Sequence, residues 1–253
     1  MLIFHRLAAT IMFFTKLPLW KYIEVDKTHF KHVVPLWPLA GWITAGLMML
    51  VYWGASFVFP TPICILLALV CRLLLTGALH EDGYADFCDA FGCFTSRERT
   101  LEIMKDSHIG SYGVIGLIIY FLMAFMSLTL LPTQLLPLAF CADPFCKFVS
   151  ANIINLLPYA RDEKQAKNKV IYSRMSFTEF LACLVLGMAP LLLLPNFVFI
   201  LAGIMPVCMS AFLFAWMRKR IGGYTGDCCG ATFILNELAF YLALLAICHI
   251  LTP

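Results

Sequence analysis

Between Gly77 and Gly92 the chain reads GALHEDGYADFCDAFG, which places four carboxylates, Glu81, Asp82, Asp86 and Asp89, within one short, otherwise largely apolar stretch. On a helix, Asp82, Asp86 and Asp89 stand at i, i+4 and i+7 and share a face. Three like charges on one stripe repel one another unless a cation sits among them. An all-oxygen donor set without Cys/His ligand spacing favours a hard ion, and Mg²⁺, which keeps several waters and shares itself with substrate phosphates, suits it. The expected metal ligands are therefore Asp82, Asp86 and Asp89, with Glu81 as a further ligand or a supporting partner. Gly83 carries no side chain, so a substrate or a second backbone can approach there.

Three other segments carry chemistry of the same kind. MKDSHIGSYG, residues 104–113, offers Lys105, Ser107 and small residues whose backbone amides could hold a phosphate at a helix start, although an ordinary N-terminal cap explains much of it. GGYTGDCCGA, residues 222–231, offers Thr225 and Asp227 directly after Arg218, Lys219 and Arg220. A basic run that merely sets topology accounts for those cations equally well. In PYARDEKQAKNK, Arg161 is the residue expected on a substrate phosphate, since a guanidinium holds two oxygens at once. Arg161, Lys164, Lys167 and Lys169 also suit anionic lipid headgroups.

The elements that must position these residues are membrane spans. Of the 253 residues 62% are hydrophobic and 13% charged, and the mean hydropathy is +0.87. Apolar runs near 20 residues match a hydrocarbon layer of roughly 30 Å. Seven crossings are expected, at about 34–59, 63–79, 109–131, 135–157, 177–194, 197–217 and 228–251, preceded by an amphipathic interfacial helix within 1–34. The expected fold is thus an all-α, polytopic integral membrane helix bundle forming one catalytic domain, 1–253. The turns at 60–62, 132–134 and 195–196 carry no charge, whereas nearly every Lys and Arg lies at the opposite ends of the spans. By the positive-inside rule the N-terminus and the polar motifs face the cytoplasm and the C-terminus faces out.

Four ionisable residues fall within spans: Arg72, Asp143, Lys147 and Glu237. Charges at such depth face a bundle interior or a wet cavity. Asp143 and Lys147, at i and i+4, can neutralise each other; Arg72 leans toward the acidic stretch, and Glu237 reaches Arg72 or bound substrate. The eleven cysteines are scattered through apolar runs without metal spacing and read as buried, reduced thiols. Arg6 and Lys16 interrupt the N-terminal apolar run and no small-residue cleavage site follows, so that segment is expected in the mature protein.

LHEDGYADFCDAFG, EIMKDSHIGSYG, LPYARDE and GGYTGD, in this order, together with FFTKLPLW and PLWPLAGW near the start, resemble the cobalamin synthase family, the adenosylcobinamide-GDP ribazoletransferases, over nearly the whole chain. The resemblance implies a Mg²⁺-dependent reaction at the cytoplasmic face of a bacterial inner membrane. In it α-ribazole, free or 5′-phosphorylated, displaces GMP from adenosylcobinamide-GDP. Asp82, Asp86 and Asp89 are then catalytic, and one of Asp86, Asp89 or His80 takes the hydroxyl proton; a lone histidine is more often a cap or a hydrogen-bonding residue. Lys105, Ser107, Arg161, Thr225 and Asp227 are the expected diphosphate and guanosine contacts. The partners are the two substrates and the lipid bilayer, with no nucleic acid, and the oligomeric state is left open, a homo-oligomer included.

Two other readings fit less well. CDP-alcohol phosphatidyltransferases need DGxxAR followed by GxxxDxxxD, whereas here DGYAD breaks the register and CFTSRERT follows Gly92. An ion-coupled transporter would use the intramembrane charges, yet no inverted repeat or interrupted pair of spans is visible.

Overall fold

The computed structural model describes residues 2–161 and 171–251. Asp162, Glu163, Lys164, Lys167 and Lys169 of the basic loop lie outside them. Among the described residues twelve α-helices follow one another: α1 Leu2–Phe14, α2 Trp37–Ala55, α3 Thr61–Thr76, α4 Leu79–Gly92, α5 Arg97–Ile103, α6 Ser111–Leu130, α7 Leu136–Ala139, α8 Ala142–Ala151, α9 Ile153–Leu156, α10 Phe177–Met188, α11 Ile204–Ile221 and α12 Gly226–Leu251. Among the described residues no strand forms, and the one sheet-like contact is an isolated bridge between Tyr159 and Tyr224.

Local chemistry sets the ends of these helices. Prolines enter the first turns of α2 and α3, where a missing N–H costs nothing. Ser96 caps α5, and Ser176 with Glu179 forms a reciprocal capping box on α10. Left-handed Gly77 and Gly222 close α3 and α11.

Four helical stretches are long and apolar enough to cross a bilayer, Val34–Ala55, Ser111–Leu130, Phe197–Ile221 and Gly226–Leu251, and α3 with α4 would make a fifth bent by 89°. The protein is therefore an all-α polytopic membrane chain. The bilayer has an obvious counterpart in the surface, for α6 leaves Ile115, Ile118, Ile119 and Leu122 exposed along one side.

Two of the seven expected crossings take another form. The stretch 135–157 is broken into α7, α8 and α9, because Pro144 has no N–H to continue a helix through residue 140. The stretch 177–194 is helical only to Met188 and then tightens into a 3₁₀ turn, Ala189–Leu193, around Pro190. The acidic segment is helical, as its shared face requires. It is α4, folded back from α3 and packed most extensively on α12.

At one end of the bundle meet the C-termini of α3 and α11 and the N-termini of α2, α6 and α12, with α4 laid among them. His80 stacks on Trp37, at the start of α2. Asp89 bonds to the first turn of α6, Gly83 abuts Asp227 at the start of α12, and Arg97 donates to Ile221 O at 2.8 Å, at the end of α11. The uncharged turns after α2, α6 and α10 lie at the other ends of those helices. The intramembrane charges are paired: Lys147 bonds Asp143, its i−4 neighbour, and, at 3.2 Å, Thr44, while Arg72 bonds Glu237 at 2.5 Å and Glu81 at 3.1 Å.

Candidate active site

Two glycines bring the acidic helix to its partner. A Cβ on Gly83 would lie 3.1 Å from Asp227 Cα, and one on Gly230 would lie 3.0 Å from His80 O, so α4 and the first turns of α12 touch backbone to backbone. Only residues without side chains permit that approach. Its result is a cavity with Asp82 of α4 and Asp227 of α12 on its wall, together with His80, Arg161, Tyr159 and Tyr172. Asp82 is exposed and Asp227 half-buried, so both carboxylates remain accessible.

Backbone bonds hold the wall opposite α4. Ala160 N donates to Tyr224 O at 2.8 Å and Tyr224 N to Pro158 O at 2.9 Å, which stitches LPYAR to GGYTGD. Arg97 reinforces the seam by donating to Ile221 O at 2.8 Å and Ala160 O at 3.0 Å. Arg161 is nearly buried, and its Nη2 donates to Leu101 O at 2.7 Å, which fixes the guanidinium at the cavity. Burial pushes the Tyr159 phenol up to about 12, so at neutral pH it is a hydroxyl donor and not a base.

The aromatic floor went unanticipated. The near-parallel rings of His80, Phe14 and Trp37 form one cluster, with His80 6.2 Å from Phe14, 5.6 Å from Trp37 and those two 5.2 Å apart, and Trp37 Nε1 donates to His80 Nε2 at 3.3 Å. With Nε2 accepting, the imidazole is neutral and that nitrogen is taken. The expected role of His80 as the base therefore loses its Nε2. Phe14, Trp37 and Tyr172 carried no signal beyond being aromatic, and the hydrogen bond from PLWPLAGW to His80 has no short-range signature.

The remaining expected residues divide. Asp86 is half-buried one turn beyond Asp82. Asp89 instead accepts from Gly110 N at 2.7 Å and Gly113 N at 2.9 Å, capping α6. Asp82 and Asp89, seven residues apart, are separated by about 10 Å along the axis, too far for both short side chains to reach one ion at roughly 2 Å. Glu81 turns into the bundle toward Arg72. Thr225 is fully buried; its hydroxyl lies 2.8 Å from Met104 Sδ and accepts from Cys228 N at 3.4 Å as the cap of α12. Lys105 lines an adjoining cavity with Arg97 and Arg161, and Ser107 is exposed between α5 and α6.

No group of three or more His, Cys, Asp or Glu side chains able to hold a metal ion occurs among the described residues. Two carboxylates facing one cavity beside an arginine do fit Mg²⁺ of the kind that takes one or two protein carboxylates and draws its other ligands from water and phosphate. The cavity, at about 130 Å³, is smaller than the roughly 300–1,000 Å³ typical of whole ligands. It suits a phosphate group, with the bulk of a large substrate outside.

Compared with known proteins, residues 6–245 match the sequence model of the cobalamin-5-phosphate synthase family. The chain is 36% identical over 241 residues to the adenosylcobinamide-GDP ribazoletransferase of Vibrio cholerae serotype O1, covering 93% of this chain and 91% of that one. It is 36% identical over 247 residues to the enzyme of the same name from Leptothrix cholodnii, 93% of each chain, and 32% identical over 243 residues to that of Shewanella baltica, 94% and 93%. No solved structure matches it.

Proposed function

The chain belongs to the cobalamin-5-phosphate synthase family, and from that premise we propose that it is an adenosylcobinamide-GDP ribazoletransferase whose reaction runs at the Asp82–Asp227–Arg161 cavity. The observation that carries the placement is convergence: Asp82 of LHEDGYAD, Arg161 of LPYAR and Asp227 of GGYTGD, far apart in sequence, line one cavity. A membrane transferase that exchanges a diphosphate anhydride bond for a phosphodiester needs carboxylates and a fixed cation at its diphosphate.

In the reaction a ribose hydroxyl of α-ribazole, free or 5′-phosphorylated, attacks the phosphorus that carries the cobinamide arm. A new O–P bond forms, the O–P bond to the guanosine phosphate breaks, and GMP departs with the electron pair. Asp82 and Asp227 would hold Mg²⁺, which when bound would offset charge on the diphosphate oxygens. Arg161 donates to the oxygens of the departing phosphate, and its bond to Leu101 O keeps it from swinging away. Tyr159 adds a neutral hydroxyl donor. Asp86, one turn along α4 from Asp82, takes the proton of the attacking hydroxyl.

We place the site on the cytoplasmic side of a bacterial inner membrane, N-terminus in and C-terminus out, because the cationic helix ends gather there. The test is direct. Purified protein supplied with adenosylcobinamide-GDP, α-ribazole 5′-phosphate and Mg²⁺ should release one GMP per corrinoid joined, and chelation should stop it. Turnover that survives complete chelation would remove the metal from this scheme.

A further inference from the structure

Arg72 does not line the cavity, yet both helices that carry its carboxylates bond to this one side chain. Arg72 Nη1 bonds Glu237 Oε2 of α12 at 2.5 Å, and Nη2 bonds Glu81 Oε1 of α4 at 3.1 Å. Nη2 also donates to Tyr120 of α6 at 2.5 Å, and the Tyr120 hydroxyl in turn donates to the same Glu237 oxygen at 2.9 Å. All four side chains are buried, Glu81 the least at 3% exposure.

As a device for stability this cluster is poor. Two carboxylates share one guanidinium, and Arg72 Nε, Glu81 Oε2 and Glu237 Oε1 have no hydrogen-bond partner among the described residues. Buried ion clusters of this sort are often matched or bettered in stability by apolar residues of similar volume. What the rigid, planar fork supplies is geometry.

That geometry bears on the cavity through helix periodicity. Successive residues on a helix are turned by about 100°. Holding Glu81 toward Arg72 therefore fixes the direction in which Asp82, the next residue, leaves α4. Holding Glu237 on the same guanidinium fixes α12, whose first turn carries Asp227 about 15 Å away along the axis. Tyr120 locks the fork in place from a third helix.

We infer that Arg72 is a positioning residue of the site: it sets the rotation of α4 against α12 and so the separation at which Asp82 and Asp227 share a cation. The inference rests on the proposed use of those two carboxylates. It predicts that loss of the fork weakens cation binding even where the fold survives.

The experiment uses full-length protein in detergent, with Mn²⁺ binding followed by electron paramagnetic resonance beside steady-state kinetics and thermal unfolding. Arg72→Lys, which keeps the charge but not the fork, should weaken Mn²⁺ binding by about 10-fold or more and lower kcat by about 100-fold. The charge-balanced variant Arg72→Met/Glu81→Gln/Glu237→Met should unfold at or above the wild-type temperature and still bind Mn²⁺ as weakly as Arg72→Lys. Tyr120→Phe, the mildest change, serves if those variants do not fold, and should lower kcat by about 5- to 20-fold with the KM for α-ribazole 5′-phosphate unchanged. Wild-type Mn²⁺ affinity and turnover in the charge-balanced variant, or unaltered kinetics in Tyr120→Phe, would reduce the cluster to a structural part and overturn the inference. Asp82→Asn separates the two claims. If it leaves Mn²⁺ affinity intact, the cavity assignment falls and this inference with it; if it abolishes binding while the Arg72 variants bind normally, only the positioning role falls.

Discussion

Asp82 and Asp89 are the same residue type on one face of one helix, and their neighbours give them different work. Asp82 looks into a cavity with Asp227 and Arg161, whereas Asp89 satisfies two backbone amides that would otherwise begin α6 unpaired. Asp89→Ala should therefore cost about 1–2 kcal/mol of stability as a lost cap and leave Mn²⁺ affinity nearly unchanged. Unfolding temperature and Mn²⁺ binding on the same sample check this, and a large loss of affinity without loss of stability would return Asp89 to the metal. The acidic motif was legible from the residues, and Arg161 and Asp227, which line the cavity, stood out there as candidates. What spacing could not reveal is which carboxylate finds a partner on another helix. The i, i+4, i+7 pattern shows a shared face whose two ends lie about 10 Å apart, but not that those ends meet different neighbours.

At the scale of elements, the site depends on a bend and a crossing. The bend between α3 and α4 uses two consecutive left-handed residues, Gly77 at φ 64° and Ala78 at φ 55°. Gly77 adopts this freely; Ala78 does so at a cost of about 1 kcal/mol. Ala78→Gly should consequently be neutral or slightly stabilising, while Gly77→Ala should destabilise, since its Cβ would also meet the Lys16 side chain. Thermal unfolding of both variants checks the pair, and clear destabilisation by Ala78→Gly would contradict it. At the crossing, Gly230→Ala must push α12 from His80 O, so kcat should fall by about 10-fold or more with little change in expression, as expected when reacting groups shift by a fraction of an ångström. Activity at the wild-type level would show that the approach of the two helices is not limiting. Gly83 was legible as a place of close contact because nothing else in a helix tolerates one. Gly230 was not, since its partner, the backbone of His80, belongs to a helix far away in sequence.

For the whole molecule, helix content and membrane character were legible in composition and in the length of the apolar runs, but the breaks within those runs were not. Hydropathy sums over residues 135–157 and 177–194 without registering that Pro144 and Pro190 interrupt the helix. The asymmetry of charge survives those breaks, because it belongs to helix ends. His108 and Gln134 flank α6 and are both exposed. In a background without reactive thiols, Gln134→Cys should react with an impermeant maleimide in intact cells and His108→Cys only after the membrane is opened; labelling of both from one side would overturn the orientation. The central claim, that carboxylates from two helices share one cation on the diphosphate, is tested most directly by GMP release from Asp82→Asn, Asp227→Asn and the double variant. Groups that act as a unit are not additive, so each single change should cost about 1,000-fold or more and the double change little beyond that. Turnover within a few-fold of wild type in either single variant, or losses that multiply in the double, would contradict the account.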